Sequence, residues 1–182
     1  INPNNILDNR QYKALYSLFM SNDSTIDDID CLILSLLQGN ARTTNVDIAR
    51  QVEMAPSAVL ERIRKLEDRG FIQGYSTRLN ASALGYGLLA FVFVRSEGGV
   101  WQGDFAEKLS AIPEVQEVHH VAGEDCFLVK VRTRDTASLG TLIREAIGSL
   151  PSVRSTRTTI VLDTAKETTD LPIKPAKRER ES

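Results

Sequence analysis

Only three residues, Glu53-Met54-Ala55, separate two segments with helical apolar spacing, and so short a break forces the two helices into a sharp turn. The first of the pair runs from Thr44, a hydroxyl N-cap, through Ile48, Ala49 and Val52. The second opens at Pro56, whose fixed φ suits a first helical position, and runs to Arg69 before Gly70. Upstream, Ile29, Leu32, Ile33, Leu36 and Leu37 fall at i, i+3, i+4, i+7 and i+8, the stripe of a one-sided helix over 26–38. Thr25 is its expected cap. Asp27, Asp28 and Asp30 stand where the helix dipole favours negative charge, and Gly39-Asn40 supplies the stop. Three short helices in this order predict a helix-turn-helix.

The third helix divides by angle. Val59, Ile63 and Leu66 point to the core, Ser57, Ala58, Glu61, Arg64, Lys65 and Asp68 point outward, and Arg62 lies on the flank. A recognition helix needs short polar side chains for base edges and basic ones for phosphates, and this face carries both. The chain's net charge of −2 announces no nucleic-acid partner, so local charge must carry the argument. Over residues 57–78, Arg62, Arg64, Lys65, Arg69 and Arg78 outnumber Glu61, Glu67 and Asp68 by two. An ordinary solvated helix would show as much; the preceding turn is what points to double-stranded DNA. Arg64, Lys65 and Arg78 are the expected phosphate contacts. Ser57, Ala58, Glu61 and Arg62 are the expected base-facing residues, with Glu61 able to accept from a cytosine amine.

A different pattern follows. Residues 71–80 read as an extended segment, and 88–94 (Leu-Leu-Ala-Phe-Val-Phe-Val) as an unbroken apolar strand. A helix is predicted over 101–109, strands over 115–121 and 127–132 around Gly123-Glu124-Asp125, a helix over 136–150 and a strand over 153–162. The order βαββαβ predicts a ferredoxin-like sandwich, so the fold class is α+β, a winged helix-turn-helix joined to that sandwich. Two helices cover one face of such a sheet. Since the first strand is apolar on both faces, the other face wants burial too, and a second copy in a homodimer supplies it.

The expected layout is an N-terminal extension over 1–24, a helix-turn-helix domain over 25–75, a linker over 76–86, the sandwich over 87–163, and an extended arm with disordered tail over 164–182. Met20-Ser-Asn-Asp-Ser24 reads as a natural start, which makes residues 1–19 an expected vector-derived addition. No apolar run reaches about 18 residues and no signal peptide is visible, so a cytoplasmic protein with no membrane partner is expected. Cys31 and Cys126 lack the C-x-x-C spacing of a zinc site and read as reduced packing residues. His119 and His120 are strand neighbours that point to opposite faces and cannot share a metal from that strand. Trp101, after Gly98-Gly99, reads as a packing anchor. No nucleophile-and-base pair or phosphate-cradling loop is visible, so neither catalytic residues nor a cofactor are expected.

The residues that carry a resemblance are Ile26-Asp27-x-x-Asp30, Met54-x-Pro56-Ser57-x-Val59-x-x-Arg62-Ile63-x-x-Leu66, Gly70-Phe71-Ile72-x-Gly74-Tyr75, Val121-x-Gly123 and Lys166-x-Thr168-Thr169-x-Leu171-Pro172. Over roughly residues 25–173 the chain resembles the leucine-responsive/asparagine-regulator (Lrp/AsnC, feast/famine) transcription regulators. The resemblance implies dimers formed through the sheets, assembly of four dimers into an octamer, and binding of amino acids or related metabolites near the glycine hairpin. His120, Gly123, Glu124, Asp125 and Cys126 are then the effector-binding candidates.

Three residues depart from the pattern. Glu53 stands where the family often has Gly, a strain of about 1 kcal/mol if the left-handed turn is kept. Ala55 replaces the usual Ser and cannot cap, weakening that helix start by about 1 kcal/mol. Cys126 replaces the final acid of Gly-x-x-Asp, so an ammonium group is met by Glu124 or Asp125, or the ligand is not an α-amino acid. Two rival readings stand beside a regulator: sirohaem decarboxylases, enzymes that look like this family, and a metabolite-sensing module whose helix-turn-helix no longer binds DNA.

Overall fold

The computed structural model describes residues 26–96, 104–122 and 126–173. Two units divide it: residues 26–77 with 168–173, and Arg78–Glu167.

In the first unit, helices α1 (Asp28–Gly39), α2 (Asn45–Gln51) and α3 (Pro56–Asp68) enclose Ile33, Ile48, Ala49, Val59, Ile63 and Leu66. Each of the larger side chains contributes roughly 1.5–3 kcal/mol by leaving water. The cap of α1 is Asp27, not Thr25: its side chain accepts from the Asp30 N–H at 2.7 Å while the Asp30 carboxylate reaches back to the Asp27 N–H. A carboxylate three residues after an acidic cap completes this reciprocal box, which outranks a threonine upstream. Thr44 caps α2 as expected, accepting from the Asp47 N–H. No strand forms over 71–80. That segment is fastened instead by Tyr75, whose hydroxyl donates to Glu67 at 2.8 Å; burial and this bond push the phenol up to about 12.

The second unit holds β1 (Leu88–Ser96), α4 (Phe105–Ser110), β2 (Val115–His120), β3 (Phe127–Thr133), α5 (Thr136–Thr141) with a π-turn over Leu142–Ile147, and β4 (Val153–Ile160). The sheet is antiparallel in the order β2-β3-β1-β4, so β1 and β3 are central, with Val92 opposite both Val129 and Thr158. This is the expected ferredoxin-like arrangement. Ala90, Val92 and Val94 of β1 and Phe127, Val129 and Val131 of β3 form one buried layer against Phe105, Leu109, Leu139, Leu142 and Ile147.

Several boundaries differ from the sequence reading. The helix expected over 136–150 widens into the π-turn and stops at Gly148, whose N–H donates to the Ile143 carbonyl at 2.8 Å. A Cβ on Gly148 would lie 2.8 Å from that same oxygen, so glycine is what lets the wide turn close. Strand β1 runs two residues further, to Ser96, with a register shift at Arg95/Ser96, and β4 ends at Ile160. The expected linker contains a bonded turn, in which the Asn80 side chain accepts from the Ala83 N–H and the Tyr86 N–H donates to the Ala81 carbonyl. Trp101, residues 1–25, the hairpin tip 123–125 and the tail 174–182 lie outside the described residues.

Candidate nucleic-acid interface and effector edge

The turn into α3 is irregular in the way its sequence implies. Among the described residues Glu53 is the sole non-glycine at positive φ, 53°, and Ala55, the residue before Pro56, makes no side-chain cap bond. With Val59, Ile63 and Leu66 buried, α3 presents Ser57, Glu61, Arg64 and Lys65 to solvent, with Ala58 half-buried beside them. Lys65 Nζ meets Glu61 Oε1 at 2.8 Å, and this bond holds the Glu61 carboxyl below its ordinary range. Both groups are well exposed, so the pair is worth little to stability and opens readily to a ligand. Arg64 makes no ion pair among the described residues, which suits a phosphate contact.

Two expected contacts are placed differently. Arg62 does not stand on a free flank: Nη1 donates to Asp30 Oδ1 at 2.7 Å and to Asp27 Oδ2 at 2.8 Å, and these bonds, Asp30 first, raise its pKa. For Asp27, burial pushes the carboxyl up, but bonds from the Asp30 N–H and from Arg62 outweigh it and leave it below the usual range. A cleft of about 300 Å3 beside these groups is lined by Asp30, Met54, Ala58, Glu61, Arg62 and Lys65 among others. Arg78 belongs to the second unit, where Nη2 donates to the Glu167 carbonyl at 2.7 Å.

At the proposed effector edge, pairing of β2 with β3 continues past His120 and Phe127 to a bond from the Val121 N–H to the Cys126 carbonyl at 3.0 Å. His120 packs edge-on against Phe127, 5.4 Å between ring centres, and Phe127 in turn contacts Phe105. Its exposed neighbour His119 meets Glu117 at 3.1 Å. Cys126 is half-buried and free. The other three effector candidates, Gly123, Glu124 and Asp125, lie outside the described residues. No group of three or more His, Cys, Asp or Glu able to hold a metal occurs among the described residues.

The sequence reading missed a charged cluster. Glu167 of the C-terminal arm meets Lys130 at 2.5 Å and Arg132 at 2.7 Å, and Lys130 also meets Glu117 at 2.8 Å. The available signal was alternation: Lys130 and Arg132 are interleaved with the buried Val129 and Val131, which puts both cations on the sheet face away from the helices.

Comparison with known proteins supports the architecture. Residues 26–73 match the winged helix-turn-helix DNA-binding family, and residues 89–171 match the Lrp/AsnC ligand binding domain. The chain is 38% identical over 149 residues to the HTH-type transcriptional regulator FL11 of Pyrococcus horikoshii, covering 82% of this chain and 97% of the relative. It is also 38% identical over 152 residues to the leucine-responsive regulatory protein of Escherichia coli, covering 82% and 92%. Among solved structures, a transcriptional regulator from Neisseria meningitidis in complex with L-Met superposes with a TM-score of 0.77 at 32% identity, covering 81% of this chain and 97% of that one. A feast or famine regulatory protein from Mycobacterium tuberculosis complexed with L-methionine gives 0.73 at 34% identity, covering 80% and 97%.

Proposed function

Because the chain belongs to the Lrp/AsnC family of DNA-binding transcription regulators, we propose that its α3 reads an operator and that an amino acid bound at the 122–125 hairpin modulates that binding. The DNA-binding and ligand-binding domains, with relatives that are regulators, favour neither the decarboxylase reading nor any other enzyme. The observation that carries the proposal is the exposed Ser57, Glu61, Arg64 and Lys65 face behind a sharp turn. Phosphate contacts by Arg64 and Lys65 release counterions, so binding falls steeply with salt. In a gel shift, R64E/K65E removes binding while circular dichroism stays unchanged; unchanged affinity would overturn the assignment.

The effector reading draws on the two relatives that hold L-methionine. Carboxylates at Glu124 and Asp125 suit an ammonium group, and backbone N–H groups around Gly123 suit a carboxylate. By linkage, an effector that binds one assembly better shifts DNA affinity to the same degree. A thermal-shift screen of amino acids, repeated on G123D, tests the location, since a hit that survives that substitution binds elsewhere.

We place the homodimer contact on the sheet face away from α4 and α5. Phe91 and Phe93 alternate with the buried Ala90, Val92 and Val94 and stay only half-buried there, with Arg157 stacked 3.9 Å over Phe93. Phe91→Lys should lower the mass seen by light scattering. Assembly of dimers to an octamer and a cytoplasmic location complete the proposal. No helix among the described residues is long and apolar enough to cross a membrane.

A further inference from the structure

Arg62 stands two positions before Arg64 on α3, yet its charge is spent inside the domain. Its side chain is 28% exposed, against 67% for Lys65 three positions on. Both of its acceptors, Asp27 and Asp30, belong to the start of α1, and they already bond each other through the capping box. One guanidinium therefore closes a ring of charge-assisted bonds between the first turn of α1 and the middle of α3. Asp30 is buried, its side chain 12% exposed, so removing Arg62 leaves a carboxylate uncompensated in a poorly solvated place.

The start of α3 offers little to replace that tie. Ala55 provides no cap bond and Glu53 holds a strained backbone in the turn. Val59, Ile63 and Leu66 anchor the helix by apolar packing, which is non-directional and tolerates small rotations about the helix axis. The Arg62 bonds are directional and reach across two elements.

We propose that Arg62 is a positioning residue for operator discrimination, touching no DNA and holding α3 at the angle from which Ser57, Glu61 and Arg64 reach base edges and phosphates. The inference rests on α3 being the recognition helix. Base-edge hydrogen bonds weaken once a helix shifts by more than about 0.5 Å or turns by more than about 10–20°, whereas a flexible Lys or Arg follows a phosphate through such a shift. Loosening the clamp therefore lowers specific affinity and spares non-specific affinity.

The test measures Kd of the full chain for a selected operator and for an unrelated duplex across a salt series. R62Q and D30N should each weaken operator binding about tenfold, the scale of one base pair's readout, with non-specific affinity and salt slope unchanged. R62Q/D30N should be no worse than either alone, because both break one interaction. Direct DNA contact predicts the opposite pattern: R62Q weakens binding to every duplex and lowers the salt slope by about one, while D30N frees the guanidinium and tightens binding. That pattern would overturn the proposal. Should R62Q or D30N fail to fold, D27N decides, since Asp27 is 47% exposed and its loss keeps the Arg62–Asp30 bond. Reduced discrimination in D27N supports the clamp, and unchanged discrimination or tighter binding overturns it. R64E/K65E binding like the native protein would instead remove the recognition-helix reading itself.

Discussion

The side-chain amide of Gln38 pairs with the backbone of Leu171 in both directions: Nε2 donates to the Leu171 carbonyl and Oε1 accepts from the Leu171 N–H, each at 2.9 Å. An amide that copies a backbone partner in this way holds residue 171 as a strand neighbour would. Each exposed bond of this kind contributes roughly 0.5–1.5 kcal/mol. Gln38→Ala should speed hydrogen exchange at Leu171 about tenfold or more, and Gln38→Glu, which keeps the acceptor but not the donor, should have a smaller effect. Equal exchange in all three proteins would show that the pairing does not hold the arm.

Apolar period accounts for most of what the sequence revealed. The buried Ile33, Ile48, Val59, Ile63 and Leu66 are positions a helical stripe marks, and the run from Leu88 to Val94 declares a central strand because both faces must be covered. What stayed hidden depends on partners far apart in the chain. Arg62 is an exposed-looking basic residue until Asp27 and Asp30 are placed beside it, 35 and 32 residues earlier. Glu167 is a polar arm residue until Lys130 and Arg132 meet it. The π-turn was illegible for another reason, since no periodic rule distinguishes an i→i+5 bond at Gly148 from an ordinary helix end.

Backbone strain at Glu53 gives a stabilising substitution. At φ 53° a residue with a Cβ is held at a cost of about 1 kcal/mol, which glycine avoids. Glu53→Gly should therefore leave stability unchanged or raise it by up to about 1 kcal/mol, despite glycine's greater freedom when unfolded. Ala55→Ser adds a cap at a position now lacking one, for about 1 kcal/mol more. Denaturant unfolding measures both, and a loss of stability in Glu53→Gly would mean that its side chain, not its backbone, matters at the turn.

Gly148 should tolerate no side chain. With the Ile143 oxygen 2.8 Å and the Arg144 oxygen 3.1 Å from an added Cβ, Gly148→Ala must displace backbone rather than a flexible side chain. The π-turn supports Leu142 and Ile147, both in the buried layer, so the shift reaches the core. A loss of about 1–3 kcal/mol in equilibrium unfolding is expected, the range for overpacking a tight site. A neutral effect would show that the turn relaxes into an ordinary helix.

Glu167 makes the arm sensitive to pH. Its bond to Lys130, followed by the attraction of Arg132, outweighs burial and holds its carboxyl below the ordinary value of 4.5. On Lys130, burial favours the neutral amine, but bonds to Glu117 and Glu167 prevail and raise its pKa above 10.5. A carboxylate whose folded pKa is depressed contributes fully above its unfolded value and loses that contribution as pH falls through the folded one. The native protein should thus melt above Glu167→Gln at neutral pH, and the gap should close as pH drops below 4.5. A smaller loss is expected above 10.5, where Lys130 begins to lose its proton in the unfolded chain. The control is Glu107→Gln, an exposed acid in α4 that makes no side-chain ion pair among the described residues, so its loss leaves the Glu167 cluster intact. Thermal melts of the three proteins over an acid series decide the matter: native and Glu167→Gln melting together at neutral pH would mean the arm is held by the bond from Arg78 to the Glu167 backbone carbonyl, which both proteins keep, rather than by the Glu167 carboxylate.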